Sequence, residues 1–178
     1  MSRANLRRRP LRRLERSLKG HQRFLDASIF INWLKVDPSK ASRDERALVS
    51  GYILHKIETG ESAITSVTVK DEVAIWLSRF KPPALGKFIE LLLGYTSLEI
   101  ACPTIEDQVN ATKSFGKYSL GYTDSLSLSL MAKYRISEIY SSDTGFDSIP
   151  SIRRVFDQLV NEREFEQFKQ TLANSQPD

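Results

Sequence analysis

Four acidic residues, spread over most of the chain, stand where carboxylates could act together: Asp26, Glu72, Asp124 and Asp143. Asp26 ends the apolar run Arg23-Phe24-Leu25, and Asp143 ends Glu138-Ile139-Tyr140-Ser141-Ser142. Asp124 follows the N-cap candidate Thr123, where the positive end of a helix favours a carboxylate. Glu72 lies between the core positions Val69 and Val73, and an acid so placed needs a partner. Two carboxylates about 5 Å apart repel by roughly 3 kcal/mol at an effective dielectric near 20, so convergence of all four demands a cation or protons. Cys102 stands alone and His21 and His55 supply no further soft set, which excludes a zinc site and leaves oxygen ligands. Oxygen ligation points to Mg²⁺ or Mn²⁺, ions that keep several waters and bridge to phosphate oxygens. The chemistry implied is phosphoryl transfer, with an activated water attacking in line.

Such a set needs a scaffold that brings distant segments to one edge, and the hydrophobic pattern supplies it. Short apolar strands are expected at Arg23–Asp26, Ser62–Ser66, Ser97–Ala101 and Glu138–Asp143. Helical spacing separates them: Leu48, Tyr52, Ile53 and Ile57; Val69, Val73, Trp76 and Phe80; Leu85, Phe88, Ile89 and Leu92; Ile105, Val109, Thr112 and Phe115. Asp37-Pro38-Ser39 breaks a first short helix, and Thr104 with Asp107 makes a capping pair. From Ser125 to Leu130, Ser and Leu alternate as in a strand, but the unbroken length to Arg135 predicts a helix. A charged helix is predicted from about Val155 to Leu172. Strands alternating with helices imply an α/β fold, a parallel sheet of four or five strands flanked by helices on both faces. In such sheets the working crevice lies beyond the carboxyl ends of the strands, where Asp26 and Asp143 fall. Trp33, Trp76, Phe80, Phe88 and Phe115 are expected in the core, and Tyr122 either there or at the rim of the cleft.

Four segments resemble the motifs of the PIN-domain metal-dependent ribonucleases, and among them the VapC-type toxins: Phe24-Leu25-Asp26-Ala27-Ser28, Ser66-Val67-Thr68-Val69-Lys70-Asp71-Glu72, Gly121-Tyr122-Thr123-Asp124-Ser125-Leu126 and Ser141-Ser142-Asp143-Thr144-Gly145-Phe146-Asp147. They occur in the family's order, and the nineteen residues from Asp124 to Asp143 suit its usual separation. The resemblance implies that Asp26, Glu72, Asp124 and Asp143 hold Mg²⁺ or Mn²⁺, with Asp147 as an outer ligand and Ser28, Ser142 and Thr123 in support. Asp71 adjoins Glu72, and since neighbours on a helix point about 100° apart, the motif register selects Glu72. The activity implied is endoribonucleolytic cleavage of tRNA or rRNA leaving 3′-hydroxyl and 5′-phosphate ends. A homodimer, and a VapB-like antitoxin whose basic side chains enter the acidic cleft, are implied in the same way.

The 178 residues (20.3 kDa, 40% hydrophobic, 27% charged) suit one domain with an appendage. Nine of the 26 Lys and Arg fall within residues 1–23 against one acid, so the net charge of +4 belongs to the arm and the rest is mildly acidic. The expected organisation is a flexible basic arm over residues 1–20, a PIN-like nuclease domain over 21–173 and a disordered tail over 174–178. Arg7, Arg8, Arg9, Arg12 and Arg13 are the arm's candidates for RNA phosphate contacts, the alternative being a solvated tail. The arm is not part of the usual toxin pattern. No apolar run is long enough to span a membrane and the arginines at the start do not suit a signal peptide, so a cytoplasmic location is expected. Besides a nuclease that processes RNA without being a toxin, two rivals of other classes stand: a PIN-like module that binds RNA or protein without cutting, and a haloacid-dehalogenase-type phosphatase. The second requires an aspartate two residues after the first, where this chain has Ser28.

Overall fold

The computed structural model describes residues 22–36 and 44–174. The basic arm with Arg7, Arg8, Arg9, Arg12 and Arg13, and the expected break at Asp37-Pro38-Ser39, lie outside the described residues. Five parallel strands form one sheet: β1 (Arg23–Leu25), β2 (Ala63–Ser66), β3 (Leu98–Ala101), β4 (Glu138–Tyr140) and β5 (Arg153–Val155), in the order β3-β2-β1-β4-β5. Every residue of β2 and β4 is buried, as strands covered on both faces must be. Seven α-helices are described with them: α1 (Ala27–Lys35), α2 (Glu45–Glu58), α3 (Val67–Phe80), α4 (Leu85–Gly94), α5 (Ile105–Ser114), α6 (Tyr122–Tyr134) and α7 (Arg163–Asn174). The strand–helix alternation read from the sequence is therefore the architecture of the chain.

Local chemistry explains most boundaries. Asp44 caps α2 and Ser66 caps α3, each accepting the backbone N–H three residues on. Thr104 and Asp107 form the reciprocal capping box expected of them, and Asp107 also holds Lys133 of α6 at 2.6 Å. The Ser–Leu alternation is helical in α6, where Ser125 and Ser127 are buried with Leu126, Leu130 and Met131. Small side chains such as those serines are easily buried in a helix that packs against a neighbour, as α6 does against α5. Gly51 does the same service in α2: a Cβ there would stand 2.5 Å from the Trp33 ring of α1.

Three expectations need correction. The charged helix begins at Arg163, not near Val155, because Val155, Phe156 and Leu159 are drawn into the core by β5 and a 3-10 turn at Asp157–Asn161. Thr123 is not the cap of α6; it lies within the first turn, and Gly121 is the cap, its N–H donating to the Asp124 carboxylate at 3.0 Å. Phe80 and Phe115 are not core residues, being 67% and 55% exposed, whereas Phe88 is buried. Phe80 is the last residue of its helix, and Phe115 shares its face with Ile105 and Val109, themselves 74% and 49% exposed, because α5 buries Asp107 and Ala111 instead of the expected stripe Ile105, Val109, Thr112 and Phe115.

At the opposite end of the sheet from the acids, β1 is locked to its neighbours by charge. Arg23 donates to Glu61 at 2.6 Å and to the buried carboxylate of Glu138 at 2.6 Å, which also accepts from Arg153 Nε at 2.8 Å. The Tyr140 hydroxyl accepts from Arg23 at 2.9 Å and donates to Glu61.

Candidate active site

The chain runs outward from β1 to β2 and β3, then crosses back to place β4 on the other side of β1. That reversal opens a crevice at the carboxyl ends of β1 and β4, the usual ligand position in parallel sheets. Leu25 is in register with Tyr140, so Asp26 and Ser141 emerge side by side.

Asp26 is 6% exposed and heavily engaged through one oxygen. Its Oδ2 accepts from Ser28 Oγ at 2.6 Å, Ser141 Oγ at 2.8 Å and Ser28 N–H at 3.3 Å, the last as the cap of α1. Ser141 Oγ in turn accepts from Asp143 N–H at 3.0 Å, and Ser28 Oγ accepts from Ser142 N–H at 3.1 Å. Asn32 donates to Ser142 Oγ at 2.8 Å. Each acid at the crevice commits at most one oxygen to such bonds among the described residues. Asp143 Oδ1 accepts from Gly145 N–H at 2.8 Å, and Asp124 Oδ2 accepts from Gly121 N–H. Asp26 Oδ1, Asp124 Oδ1, Asp143 Oδ2 and both oxygens of Glu72 have no protein donor or ion pair among the described residues.

The acids sense one another. Asp124 is pushed up to about 6 from the ordinary 3.8, first by burial, then by the charges of Asp26 and Asp143, the Gly121 N–H opposing them. Glu72, still open to solvent at the mouth of the crevice, is raised by partial burial and by the charges of Asp26 and Asp124. Asp71 points elsewhere and pairs with Lys70. No three of these side chains close into a compact cation cage among the described residues. The donor set nevertheless fits a hard divalent ion: oxygens only, mutually repelling and, among the described residues, without an ion-paired cation. Mg²⁺ in particular binds through one or two carboxylates and keeps water on its other positions.

Asp147 does not join the group. Arg154 grips both its oxygens, at 2.8 and 3.0 Å, also pairs with Asp157 at 2.6 Å and reaches the Ser141 carbonyl at 3.4 Å. The ion pair occupies both Asp147 oxygens and ties the turn after β4 to β5. No side-chain hydrogen bond of Thr123 is described, while Ser28 and Ser142 stand beside Asp26 and Asn32. Sequence reasoning missed Ser141 and Asn32 as parts of the site. The signal for Ser141 was its place one residue beyond β4, opposite Asp26; Asn32, one turn into α1 beyond Ser28, was readable as a polar residue in an otherwise apolar stretch. Gly145 was equally hidden: a Cβ there would meet Leu120 Cδ2 at 2.7 Å and Asp143 Oδ1 at 3.1 Å, so the turn after Asp143 is closed against the 115–121 loop.

Three solved structures share this fold. VapC20 of Mycobacterium tuberculosis, a sarcin–ricin loop cleaving toxin, superposes with a TM-score of 0.61 at 18% identity over 75% of this chain and 98% of its own. VapBC2 from Rickettsia felis, bound to a DNA fragment from its promoter, gives 0.53 at 16% over 76% and 99%. A toxin–antitoxin complex from Klebsiella pneumoniae gives 0.52 at 13% over 74% and 95%. At these identities the likeness is one of fold. No curated protein sequence is significantly similar to the chain. The PIN domain family model matches residues 23–152, a stretch that begins with β1 and contains all four acids of the crevice, and the chain therefore belongs to the PIN domain family.

Proposed function

We propose that the protein is a Mg²⁺- or Mn²⁺-dependent endoribonuclease that hydrolyses phosphodiester bonds in structured RNA, as the toxin of a VapBC-type pair. The observation that carries this reading is the group of four acids at the β1–β4 crevice, each with an oxygen left free of protein donors among the described residues, and two of them raised first by burial and then by the others' charge. Fold alone would not carry it, since one fold hosts many functions. Asp26, Glu72, Asp124 and Asp143 are the residues that would hold the ion. When bound, a divalent cation supplies Lewis acidity, offsetting charge on the phosphodiester and making water a competent nucleophile near neutral pH. The protein's own part is positional: Ser28 and Ser141 fix the Asp26 carboxylate, Ser141 also fixes the backbone at Asp143, and the Gly121 N–H orients Asp124.

An antitoxin segment would satisfy the same free oxygens with basic side chains, as the Arg154 fork already does for Asp147. Contact with a second copy is supported by Ile75, Phe80, Leu91 and Leu93, large apolar side chains exposed on α3 and α4. Deletion of residues 1–20 is the test of the arm: loss of RNA affinity and a flatter salt dependence would assign it to phosphate contact.

The activity is tested by incubating purified protein with total RNA in Mg²⁺ or Mn²⁺, alongside EDTA and an Asp26→Asn variant. Discrete fragments with 5′-phosphate ends, absent in EDTA and in the variant, are expected. Cleavage that survives Asp26→Asn unchanged would discard the site, and RNA retention without cleavage would favour the binding module. In the same assay Ser141→Ala should lower cleavage and Mn²⁺ affinity by about 10- to 100-fold, as expected when a group that orients a ligand is lost. Its unfolding free energy should fall by only about 1 kcal/mol, read by denaturant titration.

A further inference from the structure

Phe115 and Tyr122 bracket the loop that borders the acidic crevice, and both rings face solvent, 55% and 39% exposed. The rings meet edge to face, centroids 6.4 Å apart at 74°. Phe115 ends α5 in extended backbone, while Tyr122 opens α6 two residues before Asp124. Residues two apart on a helix point about 200° from one another, so Tyr122 stands on the rim and does not enter the crevice. The loop between the rings is fixed at both sides of the site: Gly121 donates to Asp124, and the buried Leu120 packs at Gly145, beside Asp143. Two exposed lysines, Lys113 and Lys117, flank Phe115.

Rings this exposed give the fold less than buried ones do, and beside a site for phosphodiesters they match one occupant well. Unpaired nucleobases stack on aromatic faces whatever their identity, and lysines beside the rings complement the backbone. We propose that Phe115 and Tyr122 form a stacking platform for one or two unpaired bases next to the scissile phosphate, with Lys113 and Lys117 on the neighbouring phosphates. The proposal rests on the nuclease reading and adds to it the side chains that hold the bases beside the cut. A face built for a protein partner would call for apolar bulk without regard to π character, which separates the alternatives experimentally.

The test uses the full chain in EDTA, where nothing is cut, and a 12-nucleotide single-stranded RNA carrying 2-aminopurine, whose fluorescence is quenched by stacking. Quenching on binding is expected, with Kd raised about tenfold to a hundredfold in Phe115→Ala/Tyr122→Ala. Tyr122→Phe should retain affinity, and Phe115→Leu/Tyr122→Leu should lose it although apolar area is kept. Lys113→Gln/Lys117→Gln should weaken binding and flatten its salt dependence. A blunt duplex of the same length should bind no differently to wild type and to the Phe115→Ala/Tyr122→Ala variant. Equal affinity in the leucine variant, no binding by wild type, or a change of mass in solution with RNA affinity intact would overturn the platform. The nuclease reading fails separately, on absence of cleavage of total RNA in Mn²⁺ by the wild type.

Discussion

Asp124→Asn is expected to raise the stability of the metal-free protein while abolishing its activity. The Asp124 carboxylate is pushed up to about 6 by burial and by Asp26 and Asp143, against 3.8 in the unfolded chain. A carboxyl raised in this way favours folding fully only below the unfolded value; that contribution is lost as pH rises through about 6. At pH 8 the ionised group therefore opposes folding, by at most about 3 kcal/mol and by about 1 to 2 kcal/mol after solvent screening of a partly exposed group. Asparagine keeps an oxygen for the Gly121 N–H and removes the charge, so the Tm in EDTA should rise by about 3 to 6 °C at pH 8, by roughly half as much at pH 5 and hardly at all below the unfolded value of 3.8. Addition of Mn²⁺ should reverse the ranking, since wild type gains about 2.7 kcal/mol at one hundred times Kd and the variant gains little. Cleavage should fall by at least about a hundredfold, the scale expected on losing an electrostatic group at the reacting centre. Scanning calorimetry in EDTA and in Mn²⁺ reads both signs. A variant less stable than wild type in EDTA would show that Asp124 is an ordinary helix cap, and the acidic group would lose its functional meaning.

The positions of these acids are legible in the sequence for a local reason. Apolar strands ending in acids, and acids at helix starts, are local patterns, and local patterns survive folding. Asp26, Glu72, Asp124 and Asp143 were each placed by the element that carries them, and β1–β4 adjacency then brought Asp26 beside Asp143. What the sequence could not reveal depends on distant pairing. Asp147, directly after the buried Phe146, has the charge of a ligand and lies close to Asp143 in the chain, but only the β4–β5 pairing places Arg154 against it. That strand ends at Val155, where the sequence reads as the start of a helix. Ile105, Val109 and Phe115 keep helical spacing along α5, but that helix turns Asp107 and Ala111 inward and leaves all three exposed, so an apolar stripe did not mark the buried face. Ser141 and Asn32 acquire a role only once β1 and β4 lie side by side.

Glu138→Ala is expected to be the most destabilising single change away from the crevice. Glu138 is 6% exposed and takes Arg23 on one oxygen and Arg153 on the other. Removing one partner of a buried pair costs about 3 to 5 kcal/mol, and the lower figure applies because Arg23 keeps Glu61 and Tyr140 while Arg153 can turn to water. A loss of about 3 kcal/mol lowers Tm by about 6 to 12 °C for a chain of this size. Glu138→Gln, which keeps the shape and an acceptor, should fall between. The consequence reaches the other end of the strands: β1 has three residues, and its pairing of Leu25 with Tyr140 is what sets Asp26 against Ser141. Loosening Arg23 therefore should weaken Mn²⁺ binding several-fold even below the transition, whereas a surface pair such as Lys169–Glu166 should affect neither. Calorimetry, with Mn²⁺ titration well below Tm, separates the two effects, and an unchanged Tm in Glu138→Ala would mean that the short strands are held by apolar packing alone.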